Sequence, residues 1–208
     1  INVLGYAVCD GGCDAGANWQ VVPLLSMDFG SNGPFSLALT AEGGPRLVFY
    51  DGNSLAYVWC DADCTDPANW GGAQTGLPQY SGQSGVDLAL DASGNPVLAY
   101  SGASDTVSVD SANVAACTSA CQTSTASWTS EVIETYQDIN TSPPDPCLTG
   151  KSYWQLGQAP SLALDDAGVA HVSYATFSGG TCPAGHDDQG NRYEEVFELN
   201  GPLRYAQP

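Results

Sequence analysis

Short apolar runs set around turns rich in Asp and Gly give this chain its pattern. FSLALTAEGGPRLVFYD from Phe35, VDLALDASGNPVLAYS from Val86 and PSLALDDAGVAHVSYA from Pro160 each place two such runs about one reversal. SLAL, RLVFY, VLAY and HVSY alternate and carry side chains that suit a half-buried pleated surface, so each unit predicts a β-hairpin, here termed A–B. Asp91 supplies an acceptor for the turn and Gly94 tolerates positive φ, a device repeated by Asp165 and Gly168. Pro45 and Pro96 open the second strand, where a missing N–H costs least.

A second unit predicts another hairpin, C–D, with a C-x-x-x-C at its tip. It reads LGYAVCDGGCDAGANW from Leu4, LAYVWCDADCTDPANW from Leu55 and VAACTSACQTSTASW ending at Trp128. Cys9 to Cys60, Trp19 to Trp70 and Leu37 to Leu88 each span 51 residues, and Cys60 to Cys117 spans 57. Four short strands in a period of this length form the pattern of a propeller blade. The expected fold is all-β: a propeller-like array of four-stranded antiparallel blades, incomplete in one chain, with disulfide-stapled hairpins.

As a single repeat domain over 1–208, the chain divides into a half blade (1–29), two blades (30–82 and 83–128), an insertion (129–159) and a last partial blade (160–208). The insertion and the stretch 177–202 read as irregular. The first sequence, INVLGYAVC, and the last, GPLRYAQP, both read as third strands. Joining the two ends within one chain would close only three blades, fewer than the four a propeller needs. The array is therefore expected to be completed by other copies of itself, by another protein subunit, or by further residues of a longer polypeptide, because open sheet edges invite pairing.

Composition narrows the function. Charged residues make up 13%, about half the usual share, while the chain carries 24 Gly and 13 Pro. Four Lys+Arg stand against 23 Asp+Glu, a net charge of −19. That balance excludes nucleic acid and insertion into or adhesion to anionic membranes, since few cations are present to meet phosphates. Cationic partners, divalent ions and glycans remain.

The 8 Cys fall as Cys9/Cys13, Cys60/Cys64 and Cys117/Cys121, with Cys147 and Cys182 left over. An even number with three identical short spacings predicts a disulfide framework and an oxidising, secreted or cell-surface location. Each tip staple closes a small loop, and Cys147–Cys182 is the expected fourth bridge, tying the two irregular stretches together.

These residues resemble a group of bacterial extracellular repeat proteins found in myxobacterial and related secretomes. Their units read S-L-A-L-D-x-x-G-x-P followed by Y-A-x-C-x-x-x-C and N-W. SLALDDAGVAHVSYA from Ser161 and LAYVWCDADCTDPANW from Leu55 carry the likeness, which covers most of 1–128 and 160–176. The A–B turn also looks like that of NHL-type blades. The resemblance implies a propeller-like fold and an extracellular setting, and no defined activity.

Each candidate site has a structural role that competes with it. Trp19, Trp70 and Trp128 recur at one position, as do Tyr6, Tyr57 and Tyr205, and also Tyr50, Tyr100 and Tyr174. Recurrent aromatics are first expected to pack between blades. Tyr153 and Trp154 lie in an insertion, escape that role, and are the candidate ligand-binding pair. Asp61, Asp63 and Asp66, with Asp10 and Asp14, cluster on the stapled tips; with His186, Asp187 and Asp188 they are the candidate metal ligands, Ca²⁺ being the candidate cofactor although none is required. His171, on a strand beside Val172 and Tyr174, is expected to pack or face solvent.

Chemistry finds little to work with. There is no G-x-S-x-G, no H-E-x-x-H and no phosphate loop. Glu131, Glu134, Glu194, Glu195 and Glu198 are the carboxylates a glycosidase pair would draw on, but no spacing sets two of them facing each other. The expectation is an assembling, non-enzymatic extracellular protein, with a lectin-like module as the alternative.

Overall fold

The computed structural model describes residues 2–27, 34–51, 54–77, 85–104, 107–135, 153–186, 192–200 and 204–206. The chain is all-β, with two single-turn 3-10 segments at the stapled tips. β1 (Asn2–Val8) and β2 (Gln20–Met27) form a two-stranded sheet. β3 (Phe35–Leu39), β4 (Pro45–Tyr50), β5 (Leu55–Trp59) and β6 (Gly71–Gln74) form the second sheet, a meander. β7 (Val86–Leu90), β8 (Pro96–Ser104), β9 (Val107–Ser119) and β10 (Ser127–Thr135) repeat it as the third. The fourth sheet joins β11 (Tyr153–Leu164), β12 (Ala170–His186) and β13 (Arg192–Asn200), with β14 (Arg204–Ala206) also on β12. Every pairing is antiparallel.

The sheets pack in series, in chain order. Leu4 and Leu24 of the first cover Leu47, Phe49, Ala56 and Val58 of the second. Val48, Leu55 and Leu77 of the second meet Val86, Leu88, Leu98 and Tyr100 of the third. Ala99 and Ala112 of the third meet Leu156, Leu162, Val172 and Tyr174 of the fourth. β4 is buried over its first five residues and β5 over its first four, on both faces, because each has a sheet on either side. The half-buried alternation expected for RLVFY does not hold there; such doubly covered strands tolerate a continuous apolar run. Among the described residues the array does not close into a barrel or a propeller ring.

Register defines the repeat. Leu39, Leu90 and Leu164 face Pro45, Pro96 and Ala170. Val48, Ala99 and Ser173 in turn face Tyr57, Val114 and Tyr205. By the same count Phe49, Tyr100 and Tyr174 share a position. Tyr50 lies one residue further on, so its expected equivalence with Tyr100 and Tyr174 is corrected: a slip of one residue turns a side chain to the opposite face.

Two stretches expected to be irregular contain long strands. β10 runs to Thr135 and β11 starts at Tyr153, so only 136–152 of the first insertion lie outside the described residues. In the second, β12 and β13 pair from Phe177↔Asn200 to His186↔Arg192. TFSGGTCPAGH has no period-2 pattern, and it pairs with RYEEVFELN, which carries the strand-favouring Tyr193, Val196 and Phe197.

Candidate functional site

The A–B turns form as their side chains dictate. The Asp91 carboxylate accepts from the backbone N–H of Ser93 and Asn95, both at 2.8 Å, and Gly94 takes φ +79. Asp165 accepts from Ala167 and Val169 at 2.9 Å. Burial pushes the Asp91 carboxyl up, but hydrogen bonds from Asn95, Ser93 and Gly94 outweigh it and hold the group below its usual range. Asp165 is lowered by the Val169 N–H in the same way, with His171 contributing.

The three tips carry disulfides Cys9–Cys13, Cys60–Cys64 and Cys117–Cys121, with Cα separations of 5.8, 5.7 and 5.8 Å. They are compatible with an oxidising environment. The N-W that follows each of the first two staples has a local cause. Asn18 and Asn69 donate to the carbonyls of Gly12 and Asp63, at 2.9 and 3.2 Å. The indoles of Trp19 and Trp70 donate to the carbonyls of Cys13 and Cys64, at 3.0 and 2.9 Å. The rings then pack as expected of recurrent aromatics: Trp70 meets Tyr6 edge-on at 5.2 Å, and Trp128 meets Tyr57 at 5.9 Å. In each pair the Tyr belongs to one sheet and the Trp to the next.

Two of the candidate metal ligands on the tips, Asp61 and Asp66, have other partners for their carboxylates. Asp61 forms an ion pair with Arg46 at 2.6 Å. Asp66 caps the 3-10 turn by accepting from the Ala68 N–H at 2.9 Å, and the Asp63 carbonyl accepts from Asp66. Among the described residues no group of three or more His, Cys, Asp or Glu is placed to hold a metal. Asp187, Asp188 and Cys147 lie outside the described residues, as do the side chains of His186, Cys182, Tyr153 and Trp154; Tyr153 and Trp154 sit on β11, where their backbones pair with Gly179 and Ser178. No helix among the described residues is long and apolar enough to cross a membrane.

A cavity of about 480 Å³ opens between the β3–β4 and β7–β8 turns beside the third tip. Arg46, Tyr57, Asp91, Asn95 and Gln122 are among its lining residues. The Arg46 guanidinium is buried, donating to the Cys60 and Pro45 carbonyls at 2.9 and 3.1 Å besides its ion pair with Asp61. Its Nε and the Tyr57 hydroxyl are buried with no partner among the described residues. Burial pushes the Tyr57 phenol up to about 12, with Arg46 acting against the shift and Asp61 adding to it.

β3, β7 and β11, each the edge strand that opens its sheet, run side by side and are tied by one carboxylate. The Ser36 hydroxyl donates to Asp87 at 2.7 Å, and the Asp87 carboxylate accepts from the Leu162 N–H at 2.8 Å. Asp87 also accepts from the Leu88 N–H at 2.9 Å. Sequence reading passed over Asp87, whose only signal was an acid in place of the Ser found at this position in SLAL.

β3 differs from β7 and β11. Phe35, Leu37 and Leu39 are 68%, 49% and 57% exposed. Val86 and Leu88, at the positions of Phe35 and Leu37, are 7% and 6% exposed, and Leu162, at the position of Leu37, 9%. Those residues are covered by the preceding sheet, Val86 and Leu88 by Val48, Leu55 and Leu77 and Leu162 by Ala99 and Ala112, whereas the sheet before β3 is the two-stranded β1–β2 among the described residues. Trp19 is 44% exposed and Tyr205 64%. The outcome is an apolar strip along β3 and two uncovered aromatics.

No protein-family model matches this sequence, and neither does any curated protein. A solved endo-1,4-beta-xylanase from Bacteroides thetaiotaomicron is similar over 86% of this chain at 15% identity, with a TM-score of 0.38. This chain covers 62% of that one, less than two thirds of its length, and a likeness at that level carries no argument about fold closure or activity.

Proposed function

We propose that the protein is an extracellular or cell-surface structural and interaction protein that assembles through the unpaired edges and end faces of a propeller-like β-repeat. One observation carries this reading: Phe35 and Leu37 stand open, with Leu39 beside them, where Val86 and Leu88 of the third sheet and Leu162 of the fourth are buried against the sheet before. Three large apolar residues in line on one strand form the kind of contiguous patch that marks a contact surface. Beside them the outer edge of β1 pairs with no strand among the described residues, leaving a template for strand addition.

Sedimentation velocity and native mass spectrometry of the non-reduced protein test this. Complexes at micromolar concentration that Phe35→Asp reduces to a single chain, with the circular dichroism of the parent retained, are the expected result. A stable single chain at that concentration, bound to nothing, overturns it.

A second reading, carbohydrate binding, is favoured by the polar cavity beside Arg46, Asp91 and Gln122, whose volume falls within the range of small-ligand sites. Binding to a panel of neutral glycans, lost on Ser93→Trp, which fills that cavity, supports it. Binding lost instead on Trp154→Ala moves the site to β11, and no binding to any glycan removes the reading.

A further inference from the structure

We infer that the cavity between the second and third sheets takes a neutral sugar, read by the Arg46 Nε and the Tyr57 hydroxyl. The inference rests on the carbohydrate reading above and names the ligand's chemistry and the two groups that select it. Arg46 and Tyr57 stand in the second of two neighbouring four-stranded sheets, and the A–B turns of both sheets flank the cavity.

The repeat sets these two side chains apart. Arg46 faces Trp59 as Val97 faces Ala116, and Val48 faces Tyr57 as Ala99 faces Val114. Val97 and Val114 are therefore the counterparts of Arg46 and Tyr57 in the third sheet. Both valines pack in the apolar contact with the fourth sheet. The array is thus built at these positions with apolar side chains, and requires neither a guanidinium nor a phenol.

Arg46 and Tyr57 are nevertheless 5% and 1% exposed, with the Nε–H and the hydroxyl unmet among the described residues. Burying polar groups without partners is costly, and an apolar pair avoids that cost. Both side chains line the cavity of about 480 Å³. Two buried, unmet groups at one cavity, replaced by valines one unit on, mark the anchor points of a ligand.

The rest of the wall selects its class. Glu42 and Asp91 line the cavity, and Asp61 already pairs with Arg46 at 2.6 Å. An anion would meet those carboxylates in a chain of net charge −19. A cation would lie against the guanidinium and give its Nε–H no acceptor, and an apolar group would leave both anchors unmet. A sugar hydroxyl satisfies both: its oxygen accepts from the Nε–H, and its own O–H pairs with the phenol. Burial pushes that phenol up to about 12, so it keeps its proton and can donate as well as accept. Because both atoms are buried, a hydroxyl reaches them once a wall side chain swings aside. Gln122, exposed and resting on Asp61 through hydrogen bonds of 3.3 and 3.4 Å, is placed to do so.

Isothermal titration with cellobiose, maltose, lactose and trehalose tests the inference, alongside the uronic acid of whichever sugar binds. Tyr57→Phe is expected to weaken binding at least tenfold while leaving the thermal midpoint unchanged or higher, since it deletes an unmet hydroxyl. The uronic acid is expected to bind at least tenfold more weakly than the neutral sugar. A lowered midpoint in Tyr57→Phe assigns the hydroxyl to the fold and overturns the inference. Binding lost on Ser93→Trp but unmoved by Tyr57→Phe, or lost on Trp154→Ala alone, overturns it and leaves the carbohydrate reading standing. A uronic acid bound as tightly as the neutral sugar overturns the ligand class. No binding by any of the sugars overturns both.

Discussion

At the residue scale, the stapled tips show how a short motif is closed by its own backbone. The residue before the second Cys lies in the left-handed region in all three: Gly12 at φ +63, Asp63 at +50 and Ala120 at +52. Its carbonyl accepts the N–H three residues on in each case. Gly enters this region freely, whereas Ala pays a steric cost of about 1 kcal/mol. Ala120→Gly is therefore expected to raise stability by up to about 1 kcal/mol, measured as a shift of the urea midpoint at unchanged slope. Acid behaviour belongs to this scale too. The Asp91 carboxyl is held below its ordinary 3.8, so its contribution is present above that value and is lost as pH falls through the folded-state value beneath it. Asp91→Asn keeps acceptors for the turn and loses the titration; its stability is expected to fall less steeply than that of the parent below pH about 4.

Single interactions decide how whole elements sit together. Asp87 on β7 binds β3 through the Ser36 hydroxyl and β11 through the Leu162 N–H. Its loss leaves two donors facing the gap between sheets. Asp87→Ala is expected to cost about 1.5–3 kcal/mol, the range for hydrogen bonds to a charged group. Asp87→Asn, which keeps an acceptor, costs less, and chemical denaturation of both variants checks the order. Strand crossings are equally exacting. The Trp59 indole lies across Gly71 of the neighbouring strand, where an added Cβ would stand 2.4 Å from the ring. This close approach explains the Gly that follows Trp70. Hairpins were legible because their turns are written in Asp and Gly. The length of β12 was not, because its outer half has no period of its own and takes its pairing from β13.

For the whole molecule, charge and shape pull in opposite directions. Each copy carries −19, so two copies brought together repel. The surface proposed for contact is apolar: Phe35, Leu37 and Leu39 stand in line on β3. Salt screens the repulsion and leaves apolar burial intact. Self-association is thus expected to strengthen between about 0.01 and 0.15 M ionic strength, where the screening length falls from about 30 to 8 Å. Sedimentation equilibrium in that series checks it. Weakening with salt would point to a cationic partner in place of a second copy.

What the sequence determined by itself is local: the hairpins, their turns, the staples and the period. The hairpins, turns and staples depend on residues close in the chain, whose side chains satisfy the backbone on the spot, as Asp91 does at its turn and Asn69 at its tip, and the period is their recurrence. The packing of Trp70 on Tyr6 and of Trp128 on Tyr57 was legible as well, since a Trp or Tyr repeated once per unit has few other uses in an array, whereas Trp19 and Tyr205 of the same sets are exposed. Tertiary structure alone decided which copy of a repeated residue is covered. Leu37 and Leu88 are the same letter in the same motif, one open and one buried, and the difference lies in the sheet that stands in front. Asp87 became a tie across three strands, and Asp61 a partner for Arg46, for the same reason. Burial and pairing depend on neighbours distant in the chain, and a repeat writes the same local signal whether or not the neighbour is there.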